Sequence, residues 1–216
     1  MVINKYLAEL LGTFILVGVG SLGILAAGGA SGSAEIVAIA LSFGLALLAG
    51  MWAVGHVSGG HFNPAVTFGM LLDKRIGLSD AIGYWVGQFA GAGVASLMIW
   101  AAAGSRDAVS LTATGYDDLG TAILVEVMLT AIFVWTILSV TKRGSNHAPA
   151  AIALTLVAVH LAGIPFSGAS VNPARSFGPA AVAASFDPLW VYLYAPMIGA
   201  VIAFALYRLF PVTSSD

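Results

Sequence analysis

Apolar residues along this chain come in long blocks rather than in alternation. Crossing a bilayer as a helix takes about 20 mostly apolar residues. Six stretches meet that length or nearly so: 6–27, 36–56, 81–103, 121–141, 148–164 and 189–210. The fifth is short, which suits a helix whose end opens into a cavity. Two further apolar pieces, 64–72 and 173–184, are too short to cross. They begin at Asn-Pro, one after Asn63 and the other after Asn172. Asparagine is a good N-cap, and proline fits the first helical position, where no backbone N–H is needed. Both pieces therefore read as short helices. Lipid cannot satisfy their free ends, so at membrane depth they must lie against protein or a water-filled cavity.

Composition agrees with the pattern. Of 216 residues, 59% are apolar and 8% charged, against about 25% charged in an average globular protein. So few charges cannot cover a soluble particle, and mean hydropathy is +0.97. The chain reads as one integral membrane domain with the lipid bilayer as partner. A net charge of -2 without a basic run argues against nucleic acid. Zero cysteines exclude a disulfide framework, a thiolate metal site and a thiol nucleophile. Four scattered histidines and no carboxylate cluster suggest no metal, and nothing calls for a cofactor. No nucleophile–base pair points to an enzyme. Lys5 and the apolar run ending Leu25-Ala26-Ala27-Gly28 have the outline of a cleavable signal. That run carries Glu9 and its pattern recurs, so we read it as a retained first span.

Charge placement predicts orientation. Lys5, Lys74, Arg75, Lys142, Arg143 and Arg208 fall on one side if the chain makes six crossings and two re-entrant dips. The positive-inside rule makes that side, and both termini, cytoplasmic in the cell membrane. The opposite loops hold Glu35, Arg106, Asp107, Asp117, Asp118 and Asp187.

The chain also repeats. Ala8-Glu9-Leu10-Leu11-Gly12-Thr13-Phe14 is echoed by Val125-Glu126-Val127-Met128-Leu129-Thr130-Ala131. Ser58-Gly59-Gly60-His61-Phe62-Asn63-Pro64-Ala65 is answered by Ser167-Gly168-Ala169-Ser170-Val171-Asn172-Pro173-Ala174. Three spans per copy is odd, so the second copy enters from the opposite face. The expected architecture is all-α, with an inverted 3+3 repeat of residues 1–103 and 120–216 joined by a linker at 104–119. Such repeats put a functional site at the midplane, where broken helices meet. There, two half-helix N-termini each bring about half a positive charge, and Asn63 and Asn172 offer N–H donors to the same space. A positive, donor-rich midpoint repels cations and hydrogen-bonds a water oxygen.

With both glutamates, both Asn-Pro-Ala boxes and Gly55-His56-Val57-Ser58-Gly59-Gly60-His61-Phe62 in place, the chain resembles the aquaporin (major intrinsic protein) family. The likeness covers nearly its whole length and points to the bacterial, water-selective kind. The resemblance implies a right-handed bundle of six transmembrane helices plus two half-helices, a pore in each monomer, and a homotetramer. It implies a central constriction at Asn63, Pro64, Ala65, Asn172, Pro173 and Ala174. It also implies an outer selectivity filter at Phe43, His160, Ala169 and Arg175. Arg175 supplies five donors and a barrier to cations; His160 takes up width; Phe43 is a stiff apolar wall; Ala169 leaves its carbonyl free. Backbone at Gly59, Gly60, His61, Gly168 and Ser170 suits a carbonyl ladder along the two vestibules.

Plainer readings stand beside these. His160 stands near a helix end, where it would serve as a cap. His56 and His61 read as structural, fixing loop carbonyls. Glu9 and Glu126 are the sharpest rival, since membrane carboxylates often relay protons. Their symmetric placement fits buttressing of the Asn-Pro-Ala loops better than a proton-coupled transporter. His147, in a loop, reads as solvated rather than as a pH gate. Within the family, glycerol facilitators usually carry Asp after the second Asn-Pro-Ala-Arg and a basic residue four positions on. Ser176 and Ala180 stand there, as in water channels. Tyr192-Leu193, where an aromatic followed by Trp is expected, leans the other way.

Overall fold

The structure is a computed structural model that describes residues 2–116, 118–144 and 146–212. Asp117, assigned above to an outer loop, lies outside them. Among the described residues, six apolar helices are long enough to cross a membrane: α1 (Val2–Ala27), α2 (Ser33–Ser58), α4 (Leu78–Ala103), α6 (Leu119–Lys142), α7 (Ala148–Ser167) and α9 (Leu189–Leu209). Two short helices, α3 (Pro64–Leu72) and α8 (Pro173–Ala183), begin at the two Asn-Pro steps. Among the described residues there is no strand.

Helix α1 begins four residues before the expected 6, and two further elements depart from the sequence reading. Helix α7 passes 164 and ends at Ser167, because Pro165 falls in its last turn and Gly168 closes it at φ +77, its N–H donating to Ile164 O. Within the polar linker, Arg106–Thr112 forms a further helix, α5, capped by Ser105, whose Oγ accepts from the Asp107 N–H at 3.0 Å. Asp118 opens α6 in the same manner, and hydrogen bonds from Thr121 hold its carboxyl below the usual value.

The spans pack as two threes: α1 lies on α2 and α4, and α6 on α7 and α9. Helices α2 and α7 join the halves. The half-helices cross over, α8 lying chiefly against α4 and α3 against α9. Equivalent glycines permit close approaches in the two halves. A Cβ on Gly91 would collide with the Leu10 carbonyl oxygen of α1, and one on Gly199 would sit 2.7 Å from the Val127 carbonyl oxygen of α6. Small residues let helix backbones approach where lipid offers no hydrophobic drive to pack. Outward positions carry large apolar side chains such as Trp52, Val86, Leu124 and Leu154. The buried interior holds Glu9, Glu126, Asn63, Asn172, His160 and Arg175. The molecule is apolar outside and locally polar within, as a bilayer requires.

Candidate functional site

The site is built from two loops, each tied to a buried glutamate. Glu9 Oε1 accepts from the Ser58 hydroxyl at 2.7 Å and the His61 N–H at 2.9 Å. Its Oε2 accepts from the Phe62 N–H and from Gln88 Nε2, both at 2.7 Å. In the second half, Glu126 Oε1 accepts from the Ser167 hydroxyl and the Ser170 N–H, both at 2.8 Å, and its Oε2 from the Val171 N–H at 2.7 Å. Tyr84 donates to Ser58 O at 2.6 Å, and Tyr192 to Ser167 O at 2.8 Å. These bonds hold an unusual backbone: Phe62 and Val171, the residues before each Asn-Pro, sit at φ +50 and +47. Side-chain-bearing residues adopt that region rarely, and only where the surroundings over-determine it.

Asn63 and Asn172 follow. Asn63 Oδ1 accepts from the Ala65 N–H at 2.8 Å, and Asn172 Oδ1 from Ala174 at 3.0 Å and Arg175 at 3.3 Å. Capping its own helix fixes each amide so that Nδ2 faces the opposite loop. Asn63 Nδ2 donates to Val171 O at 2.8 Å and Asn172 Nδ2 to Phe62 O at 3.0 Å. An amide nitrogen carries two hydrogens, so each asparagine keeps one after this exchange. Both asparagines line the same narrow cavity, of about 10 Å³.

That cavity runs between His61 and Arg175, with Ser170 and His160 on its wall. Toward one end Phe43 stacks on His160, ring centroids 4.8 Å apart and planes 25° apart. The Arg175 guanidinium lies 5.1 Å over the Phe43 ring. Arg175 is held by Nη1 donating to Thr112 O at 3.0 Å, at the end of α5. His160 does not cap a helix end. It lies inside α7, and its Nδ1 donates to Leu156 O at 2.9 Å, which leaves Nε2 as the free ring nitrogen. His160 Nε2 and Arg175 Nε are buried without a protein partner among the described residues. Among the described residues the His61 ring meets no loop carbonyl; its Nδ1 meets the Thr67 hydroxyl at 3.0 Å while the ring lines the cavity.

Other expected site residues stand apart. The methyl of Ala169 is fully buried and faces the Gly163 position rather than the cavity. Gly168 lines a wider outer recess that shares Arg175 with the narrow cavity. Gly59 and Gly60 shape the turn between α2 and the first Asn-Pro at φ +92 and +68. Pro64 and Pro173 face an apolar groove outside the cavity, with Trp85, Phe89 and Leu193. Ala65 and Ala174 are fully buried behind their asparagines.

The rest of the wall was missed. Leu16 and Phe133 stand seven residues after Glu9 and Glu126, and Leu47 and Leu156 sixteen residues before Asn63 and Asn172; all four line the cavity. Those offsets were available in the repeat. Thr112 and Thr114 gave no such signal, although Thr114 donates to the Ser176 hydroxyl at 2.7 Å, which in turn meets Ser170 Oγ.

Comparison with known proteins adds to this geometry. The family model for "Major intrinsic protein" matches residues 1–207. The chain is 42% identical over 209 residues to "Glycerol uptake facilitator protein-like 6" of Lactiplantibacillus plantarum, covering 93% of this chain and 94% of that one. It is 40% identical over 222 residues to "Aquaporin Z" of Brucella melitensis biotype 1, covering 95% and 97%. The aquaglyceroporin of Plasmodium falciparum, solved by X-ray, superposes with a TM-score of 0.84 over 96% of each chain at 24% identity.

Proposed function

From the premise that this chain belongs to the major intrinsic protein family and is a multi-pass membrane channel, we propose that it passes water and excludes glycerol, ions and protons. One observation carries the reading: Phe43, His160 and Arg175 converge on one end of the narrow cavity. His160 fills width that a polyol would need. His160 Nε2 and Arg175 Nε offer a passing water polar partners, and the stacked Phe43 gives it none, so water is guided without being held. Fast conduction needs that balance of entry and release.

At the centre, the remaining amide hydrogens of Asn63 and Asn172 and the N-termini of α3 and α8 present donors only. A water there accepts from the protein with its oxygen and donates to its neighbours on either side, which breaks a chain of like-oriented hydrogen bonds. The same positive ends, with Arg175, oppose cations. Leu16, Leu47, Phe133 and Leu156 supply an apolar wall beside the polar His61 and Ser170. Glu9 and Glu126 act as buttresses: every partner they have among the hydrogen bonds above is a donor, and the cavity residues His61 and Ser170 are held through their backbone N–H groups.

The reading extends to a single channel domain of two repeats, 1–103 and 120–216, with both termini cytoplasmic in the cell membrane and four chains in the assembly. The mass of the detergent-solubilised assembly tests the last point.

A second reading is glycerol conduction, which the name of the Lactiplantibacillus relative and Leu193 at the groove beside Pro64 and Pro173 favour. Proteoliposomes shocked with sucrose and then with glycerol decide between them. The water reading expects rapid shrinkage in both and slow re-swelling in glycerol. Re-swelling many times faster than in empty liposomes contradicts it.

A further inference from the structure

At the end of the bundle opposite the Phe43–His160–Arg175 constriction, an open pocket of about 750 Å³ lies where α3, α6 and α9 finish. Its volume falls in the range of about 300–1,000 Å³ usual for small-molecule sites. Four cations line it, Lys74, Arg75, Lys142 and Arg208, against one carboxylate, Asp73. Arg75 is locked in place. Its Nε donates to Asp73 at 2.6 Å, Nη1 to the Thr141 hydroxyl at 2.7 Å and Nη2 to Leu138 O at 2.8 Å, with the Tyr207 ring 5.3 Å away. That arrangement consumes Asp73. Lys74, Lys142 and Arg208 are exposed and have no ion-pair partner among the described residues. Lys74 sits at φ +58 in the turn that closes α3, where Lys74 N–H bonds Leu71 O and Arg75 N–H bonds Met70 O. The chain thus adopts a conformation rare for a residue with a side chain at the step that delivers two cations to one pocket.

The ordinary account of such cations is that they complement helix C-termini and face water. It does not explain why three cations from three different elements, without an ion-pair partner among the described residues, surround one concavity whose one carboxylate among those residues is already spent. The pocket opens beside Leu209 and Phe210, both largely exposed at the last turn of a spanning helix. It therefore lies at the level where lipid headgroups meet protein, and basic pockets between transmembrane helices take anionic headgroups.

We propose that this pocket binds the phosphate of an anionic phospholipid headgroup, with Lys74, Lys142 and Arg208 as its donors and Arg75 as the fixed wall. The test uses the full chain in detergent, offered short-chain phosphatidylglycerol or phosphatidylcholine, with bound lipids counted per chain by native mass spectrometry. Phosphatidylglycerol is expected to bind and phosphatidylcholine to bind much less. Each cation neutralised, as in Lys142→Gln or Arg208→Gln, is expected to weaken phosphatidylglycerol binding about fivefold, and the triple variant with Lys74→Gln by on the order of a hundredfold. Arg143→Gln, on the same end but outside the pocket, is expected to leave it unchanged. If the triple variant does not fold, the two single variants carry the test alone. Equal binding of the two lipids, or no loss in the variants, overturns the proposal. Displacement by inorganic phosphate at matched concentration also overturns it, in favour of a free anion as occupant.

Discussion

A buried carboxylate taking three or four donors has no neutral substitute of the same shape. In Glu126→Gln, the amide nitrogen must face either the Val171 N–H or the Ser167 and Ser170 donors, and at least one buried donor loses its acceptor. Leaving such a group unsatisfied costs about 1–3 kcal/mol. We expect a lower melting midpoint in detergent and a lower water permeability, because the strained Val171 and the Asn172 cap are released together. Water flux in wild type should be independent of any pH gradient. Flux coupled to such a gradient and lost in Glu126→Gln would restore the proton-relay reading. At this scale much of the site was legible in the sequence, because Glu9 and Glu126, and Asn63 and Asn172, declare themselves by recurring. The partner of Arg175 was not, since the acceptor is the backbone carbonyl of Thr112, and any residue there would supply it. The asparagines were read as donors, but not that each spends one hydrogen on the opposite loop.

Between elements, the prediction concerns glycine. Gly91→Ala and Gly199→Ala push a methyl onto the carbonyl oxygens of Leu10 and Val127, so α4 must leave α1 and α9 must leave α6. Each is expected to destabilise by about 1–3 kcal/mol, as overpacking does. Gly93→Ala, in the same helix with nothing within 4 Å of the added methyl, is expected to be neutral or to stabilise by up to about 1 kcal/mol. Thermal melts of the three variants check the contrast; equal effects would mean that helix contact is not what those glycines serve. The spans and half-helices were legible because apolar length and the Asn-Pro cap are local properties. Helix α5 was hidden because seven residues capped by one serine leave little periodicity. The extension of α7 was hidden because Pro165 reads as a stop, although a proline in the final turn forfeits only one backbone bond.

For the whole molecule, orientation is testable because the parent chain has no cysteine. Single variants Arg106→Cys and Arg143→Cys, treated on intact cells with a membrane-impermeant maleimide, should label at 106 and not at 143. The reverse pattern would invert the topology assigned from the basic residues. The central claim, that the Phe43–His160–Arg175 constriction makes this channel selective for water, is tested most directly by one ratio. Glycerol permeability over water permeability, measured by stopped-flow light scattering on proteoliposomes, should be low in wild type. It should rise severalfold in His160→Gly, with water flux retained. A high ratio already in wild type, or a ratio that His160→Gly leaves unmoved, would contradict the account.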